Sequence, residues 1–501
     1  MSDGAILELV SRGKKDAYQI QNPQQTWFGT NFETRSPSSR EIRMLYPENQ
    51  PRFGQWFDIV IPSDGDILMS LDLRITMPTW LPPEIASINT QTAAYKIQVA
   101  SQPYEVKTNQ YVPSGSNSLP FVFPTTPLQY GWCDGVANYI VGRWSLFVDN
   151  VIVLTGFGEF NTWFADLETS HNIAPVLHAF TGRTNESHGT SNGQIQANAT
   201  LPELVFRVPI PGCQGSGANE KGLPICAFKH QKVVMRFWLL DKSALVESTE
   251  LPVLTLTPTV SGYKTLPMYE ISPAPWNGRS ITINGAATLN GKRYKTLAAR
   301  EMGHPTIYAR CAILNVDNEL RKSLQKQKFE IRFHQQLRDD WTIENSAFIP
   351  GANYRHVLSI NGLFQTLFAG FRSDARTRQN KYTDVLPSSG DWVTQMSLNV
   401  NGQDRILPWD PKKFKTLANN TQFRRDINIA LYYMIFGISP DNEPGGACNL
   451  SRCQKAILNL TFNAISPDPM TGTNVTYGFI FGQAWNILDI VEGVATLRFA
   501  N

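Results

Sequence analysis

Apolar residues recur at every second position in segment after segment of this chain, a period that suits strands and little else. In one such segment Leu458, Leu460 and Phe462 share a face while Asn459, Thr461 and Asn463 take the other. That is the pattern of a strand buried on one side only. The same alternation groups Phe57, Ile59 and Ile61; Leu71, Leu73, Ile75 and Met77; Trp144, Leu146 and Val148; and Val233, Met235, Phe237 and Leu239. It returns at Phe329, Ile331 and Phe333, and at Met396, Leu398 and Val400. Ile427–Ile438 is a continuous apolar run, which predicts a strand covered on both faces. No apolar stripe of helical period lasts three turns. Gly158–Leu167 reads as a short helix and Asp317–Leu324 as a short charged segment.

A chain of 501 residues exceeds the size at which one core stops growing, so two domains are expected. Charged residues make up only 17%, and 35 Gly and 32 Pro supply the turns that an all-β fold needs. A net charge of +3 is far from the clustered excess of a dedicated nucleic-acid binder. No apolar run reaches the ~20 residues of a membrane-spanning helix. The opening Met1-Ser-Asp-Gly lacks a basic stretch followed by an apolar core, so no signal peptide is expected. Six cysteines (133, 213, 226, 311, 448 and 453) are too few for a disulfide scaffold and read as reduced, mostly buried thiols.

Turn signals punctuate the strands. Asp64-Gly65 lies between two alternating runs and predicts a hairpin, as does Asn401-Gly402. Pro78 to about Pro127 is rich in Pro, Ser, Thr and Gln and reads as a long surface insertion, and residues 181–224 as loops around one strand at Leu204–Val208. Residues 241–305, alternating pieces between Pro and Asn-Gly turns, read as the domain junction. Pro444-Gly-Gly-Ala-Cys-Asn-Leu-Ser-Arg452 forms a turn that leads into the Leu458 strand.

The wording of that turn resembles the second domain of the major capsid proteins of nucleocytoplasmic large DNA viruses. Other patches agree in order and spacing. They are Leu9-Val-Ser-Arg-Gly-Lys-Lys-Asp-Ala-Tyr18 with Gln21-Asn-Pro-Gln24, Thr30-Asn-Phe-Glu33, and Gly158-Glu-Phe160. The Ile307–Leu314 block, Asn401-Gly-Gln-Asp-Arg405, Asn486-Ile-Leu488 and the closing Phe499-Ala-Asn501 complete the series. The chain departs from the family between Trp27-Phe28 and Thr30, where a single Gly stands in place of several residues.

The resemblance implies an all-β fold: two consecutive eight-stranded jelly-roll sandwiches with long surface loops and few short helices. The expected division is an N-terminal arm at 1–25, a first jelly roll at 26–262, a second at 263–490 opened by the Ile307 strand, and a tail at 491–501. It further implies a structural protein, not an enzyme, with no cofactor. Homotrimers would form pseudo-hexagonal capsomers, touching neighbouring capsomers, minor capsid proteins and an inner viral membrane or its proteins, with no specific nucleic acid. The place would be the virion shell, after synthesis and assembly in the host cytoplasm. The alternatives are a minor or paralogous double jelly-roll component or, from another class, a carbohydrate-binding β-sandwich adhesin.

Motifs that would carry chemistry are weak. Gly-x-Ser-x-Gly is absent, and Gly285–Arg293 has one residue too many for a phosphate loop, with Arg293 where a magnesium-binding hydroxyl belongs. Asn290-Gly291 within it reads as a hairpin turn. Cys448 and Cys453 lie five apart at a turn and read as buried thiols rather than half a zinc site. Asp339 and Asp340 are adjacent in a strand, so they point to opposite faces and form a solvated acidic corner, not a glycosidase pair. The basic run Arg321, Lys322, Lys326 and Lys328 is interspersed with Glu319 and Glu330 and reads as a solvated loop. Asn185, Asn198, Asn419, Asn449, Asn459 and Asn474 head Asn-x-Ser/Thr triplets, candidate glycosylation sites that matter only if the chain enters the secretory pathway.

Overall fold

A computed structural model describes residues 37–78, 130–168, 174–183, 203–213, 221–228, 231–248, 304–344, 352–378, 380–385, 391–414, 431–437, 446–463 and 476–499, together with short strands at 121–122, 253–256, 266–267, 288–289 and 292–293. The arm at 1–25, the insertion at 79–120 and most of 249–303 lie outside the described residues.

Among the described residues, sixteen strands form the body of the four main sheets. Those of the first half are β1 (Ser38–Leu45), β2 (Trp56–Val60), β3 (Ile67–Thr76), β4 (Val141–Val148), β5 (Val151–Gly156), β6 (Leu204–Val208), β7 (Val233–Leu239) and β8 (Thr306–Val316). Those of the second half are β9 (Phe329–Ile343), β10 (Asn353–Val357), β11 (Leu363–Ser373), β12 (Val393–Val400), β13 (Gln403–Trp409), β14 (Tyr432–Ile435), β15 (Ala456–Phe462) and β16 (Thr476–Val491). The first half forms sheets in the order β1-β8-β3-β6 and β2-β7-β4-β5. The second repeats that order as β9-β16-β11-β14 and β10-β15-β12-β13. Apart from β1, which lies beside β8, the neighbouring strands pair antiparallel. First beside eighth and second beside seventh, twice over, is the jelly-roll connection.

The alternating faces line the cores as expected. Phe57, Ile59, Leu71, Leu73, Ile75, Met235 and Phe237 are fully buried in the first, and Leu398, Leu458 and Leu460 in the second. Each such side chain contributes roughly 1.5–3 kcal/mol by leaving water. Tyr432–Ile435, within the continuous apolar run, is buried on both faces as far as Met434.

Two expectations are corrected. Asp64-Gly65 does not close a hairpin, because β2 pairs with β7 and β3 with β8 and β6. The turn is a corner where the chain changes sheet. Arg43 fastens it by gripping Asp64 at 2.7 Å, and a Cβ on Gly65 would come within 2.6 Å of Ile313. The strand at Ile307–Leu314 does not open the second block. It pairs residue by residue with β3 from Thr306↔Thr76 to Leu314↔Ile67 and so closes the first sandwich. The strands of the first sandwich therefore run as far as Val316.

Asn401-Gly402 does close a hairpin between β12 and β13. Both residues have positive φ, 53° and 87°, as the tight turn demands. The charged segment at 317–324 is a helix, α4 (Asn318–Lys326), capped where the Asp317 carboxylate accepts from the Leu320 amide. Upstream helices include α1 (Val136–Tyr139), α2 (Gly158–Glu168) and α3 (Ala174–Thr181). The tail expected at 491–501 contains a further strand, β17 (Val494–Leu497), paired with β16.

Candidate functional site: the joint between the sandwiches and the outer faces

The two sandwiches exchange parts. Helix α2 follows β5 of the first, yet its Phe160 and Trp163 are buried in the second core, against Phe368, Phe479 and Phe481. In return β9 and β16 pair without a register break from Phe329↔Ile490 to Ile343↔Thr476. At about 3.4 Å per residue this ribbon is about 50 Å long. One end puts Phe333, Leu488 and Ile490 into the first core; the other puts Trp341, Ile343 and Phe479 into the second.

Residues 158–160 bolt the joint. A Cβ on Gly158 would collide with the carbonyl oxygens of Asn138 and Val141, so only glycine lets α2 start against α1. Glu159, buried, accepts from Arg372 at 2.6 Å and from Arg338 at 2.9 Å. Burial alone would raise its carboxyl, but the two guanidinium charges and their hydrogen bonds outweigh that and hold it below the ordinary carboxylate value. Phe160 fills the second core. The Gly-Glu-aromatic wording thus spells a close approach, a charge clamp and an anchor.

Further bonds cross the same seam. The Phe157 amide donates to the Gln336 side chain at 2.9 Å, and the Tyr382 hydroxyl donates to the Ala244 carbonyl at 2.8 Å. Tyr382 also stacks on Tyr139 with ring centroids 4.8 Å apart. Arg321 of α4 reaches back to Asp66 at 2.5 Å, and Asp66 also takes the Val316 amide at 2.8 Å.

Outer faces carry apolar side chains in rows. On β1 the order is inverted: Glu41, Arg43 and Leu45 are partly covered, while Ile42, Met44 and Tyr46 are 54%, 60% and 72% exposed. Val151, Ile152, Val357 and Leu407 are exposed as well. Exposed apolar rows mark surfaces that another surface covers.

The residues singled out from the sequence scatter. Asp339 and Asp340 point apart, but Asp339 is buried rather than solvated, accepting from His356 at 3.0 Å and the Ser359 amide at 2.9 Å. Asp340 pairs with Arg338 at 2.7 Å. The basic run lies on helix α4 except for Lys328 beyond its end, and its Arg321 is engaged by Asp66. Thr288–Leu289 and Lys292–Arg293 pair across Asn290-Gly291, so the phosphate-loop lookalike is a hairpin. Cys448 is buried, and the Cys453 thiol donates to the Asn449 carbonyl. Among the described residues no group of three His, Cys, Asp or Glu could hold a metal, and no helix is long and apolar enough to cross a membrane.

Of the six triplets, Asn449 is exposed, its side chain accepting from the Ser451 amide at 3.0 Å. Asn459 is half-buried in mid-sheet, donating to the Ser397 hydroxyl at 3.2 Å. Asn185, Asn198, Asn419 and Asn474 lie outside the described residues. Sequence reasoning missed the roles of Arg338 and Arg372; isolated arginines in strands give no signal until their partner is known.

Two sandwiches of one strand order in tandem define the class: the chain is a double jelly roll. The particular proteins that share it are viral capsid proteins, as the resemblance in the residues implied. Solved structures similar to it include the capsid protein in a quasi-atomic model of the PBCV-1 virus capsid, with a TM-score of 0.63 at 14% identity over 95% of this chain and 100% of that one. The Faustovirus major capsid protein follows with a TM-score of 0.55 at 10% identity over 96% and 94%. At these identities the likeness is one of fold.

By sequence, 110 residues are 27% identical to the major capsid protein of Chrysochromulina ericina virus, 22% of this chain and 18% of that protein. A further 120 residues' match, also at 27%, is to the major capsid protein of Paramecium bursaria Chlorella virus 1, 21% of this chain and 28% of that one. The chain thus matches less than a third of the length of these curated relatives. No family model matches.

Proposed function

We propose that this protein is a structural, non-catalytic capsid subunit of a large double-stranded DNA virus, and that three copies form a pseudo-hexagonal capsomer. The observation that carries the reading is the repeated strand order: a chain with two like sandwiches offers six like units per trimer. Sheets locked by a reciprocal exchange make a rigid tile, and the exposed row Ile42, Met44 and Tyr46 gives it a face to bury. An obligate interface of this kind hides on the order of 2,000–5,000 Å² or more.

The first domain then runs from the arm to Val316, the second begins at β9, and α4 is the link. Residues 1–25 clasp neighbouring capsomers, and minor capsid proteins and an inner membrane or its proteins lie against the tiled shell, assembled in the host cytoplasm. Negative-stain images of the purified protein are the test. Hexagonal outlines of threefold particles support the reading. Monomers retained on a sugar column would replace it with the adhesin alternative. A low copy number in purified virions would make the protein a minor shell component instead. Deleting residues 1–25 should leave trimers intact and weaken shell assembly; unchanged assembly refutes the arm's role.

A further inference from the structure

The outer sheet of the second sandwich, β10-β15-β12-β13, carries a depression of about 300 Å³, at the small end of small-ligand sites. Alternation builds it. Met396, Leu398, Leu458 and Leu460 are buried in the core, so Gln395, Ser397, Asn459 and Thr461 between and beside them point outward. Cross-strand register sets the outward side chains in two rows: Asn353, Thr461 and Gln395, then Arg355, Asn459 and Ser397. Ser397 is short and buried and makes the floor. The longer Asn353, Arg355 and Gln395 are exposed and make the rim.

Among the described residues, the side chains of Asn353, Arg355, Gln395 and Thr461 hold no hydrogen bond or ion pair, whereas Asn459 donates to Ser397 and Asn399 to Asp404. The matching sheet of the first sandwich is different. There Arg236 sits in register between Asp58 and Ser145, is gripped by both Asp58 oxygens at 2.7 Å and lies over the Trp56 ring at 4.2 Å. Arg355, in register with Asn459 beside Ser397, has neither a carboxylate nor a ring among the described residues.

We propose that this face binds a sugar bearing one carboxylate, a hexuronate being the simplest case. The Arg355 guanidinium is planar and donates two parallel N–H bonds to the carboxylate. The free amides and the Thr461 hydroxyl both donate and accept, as sugar hydroxyls do. Neighbouring strands set them about 4.8 Å apart, the spacing of alternate equatorial hydroxyls on a pyranose ring. A protein partner fits less well, because contact centres between proteins are apolar and only Met396 and Pro408 among the lining residues are. The site goes beyond the shell role: every copy in a capsomer would carry one.

Glucuronate is the probe on the full-length protein, with glucose lacking the charge and acetate lacking the ring as controls. Titration followed by ligand-observed NMR should show saturable glucuronate binding with a Kd of about 1 mM, the scale for so small a ligand. Glucose should bind at least about tenfold more weakly, the value of one hydrogen-bonded charge, and acetate should not bind. Arg355→Met should bring glucuronate down to the level of glucose, and Gln395→Ala should weaken both sugars alike. Both residues are exposed, so the melting temperature of either variant should stay level, which separates lost binding from lost folding. No saturable binding at about ten times that Kd, acetate binding as well as glucuronate, or an unchanged Kd in both variants overturns the site. The outcome is read on binding alone, whatever the number of copies in the particle.

Discussion

The two sandwiches share one strand order and differ in what fills them. The first core is largely aliphatic, with Leu68, Leu71, Leu73, Ile59, Ile75 and Met235 between its sheets. The second is built on rings: Phe364, Phe368, Phe371, Trp392, Tyr432, Phe462, Phe479 and Phe481. Phe371 alone meets Trp341 and Phe462 edge-on, with centroids 6.2 and 5.4 Å away. Aromatic pairs add about 0.5–1.5 kcal/mol beyond their burial and prefer particular orientations. The backbone route therefore tolerates two quite different fillings, and the topology rests on alternation, not on which apolar residue alternates.

The charge clamp offers the largest break in this comparison. Glu159→Ala leaves the buried Arg372 without its carboxylate and the half-buried Arg338 with Asp340 alone, and should cost about 3–5 kcal/mol. Calorimetry should then resolve two transitions where wild type shows one, because the sandwiches lose their joint before their cores. Phe371→Ala opens a hole in the aromatic core and should cost about 3–5 kcal/mol, whereas Leu73→Ala in the aliphatic core should cost about 2–5. Chemical denaturation of both variants ranks the two fillings, and a Leu73 loss clearly above the Phe371 loss would reverse the ranking.

A pH dependence sharpens the role of the ribbon. His334 on β9 lies tilted against Trp485 on β16, with centroids 3.9 Å apart. Burial pushes its ring from 6.5 down to about 4, against a smaller opposing pull from the Gln365 hydrogen bond. The folded state thus favours the neutral ring. The stability this gives is complete above pH 6.5 and is lost as pH falls toward about 4. His334→Phe should flatten that part of a melting-temperature profile between pH 6.5 and 4.

The smallest effects separate two look-alike turns. Gly65→Ala pushes a methyl group into Ile313 at the sheet-changing corner and should cost about 1–3 kcal/mol. Gly402→Ala meets nothing within 4 Å and bears only the strain of φ 87°, about 1 kcal/mol. Equal losses at both positions would mean that the corner is not packed as described.

These turns show how far local pattern reaches. Alternation identified the strands and their buried faces, because side-chain period depends only on neighbours in the chain. Asp64-Gly65 and Asn401-Gly402 look alike for the same reason, yet pairing partners far away in sequence make one a corner and the other a hairpin. Ile307–Leu314 was legible as a strand, but its place beside β3, some 230 residues earlier by the pairing Thr306↔Thr76, was not. The joint was half legible: Gly158-Glu159-Phe160 stood out as a motif, while Arg338 and Arg372 acquire meaning only when β9 and β11 bring them to Glu159.

The account turns on a duplicated sandwich serving threefold assembly. Light scattering on the size-exclusion peak of the purified full-length chain measures that directly. The expected mass is about three times the 56.2 kDa of one chain, unchanged on dilution; a peak that stays at the mass of a single chain at every concentration contradicts it.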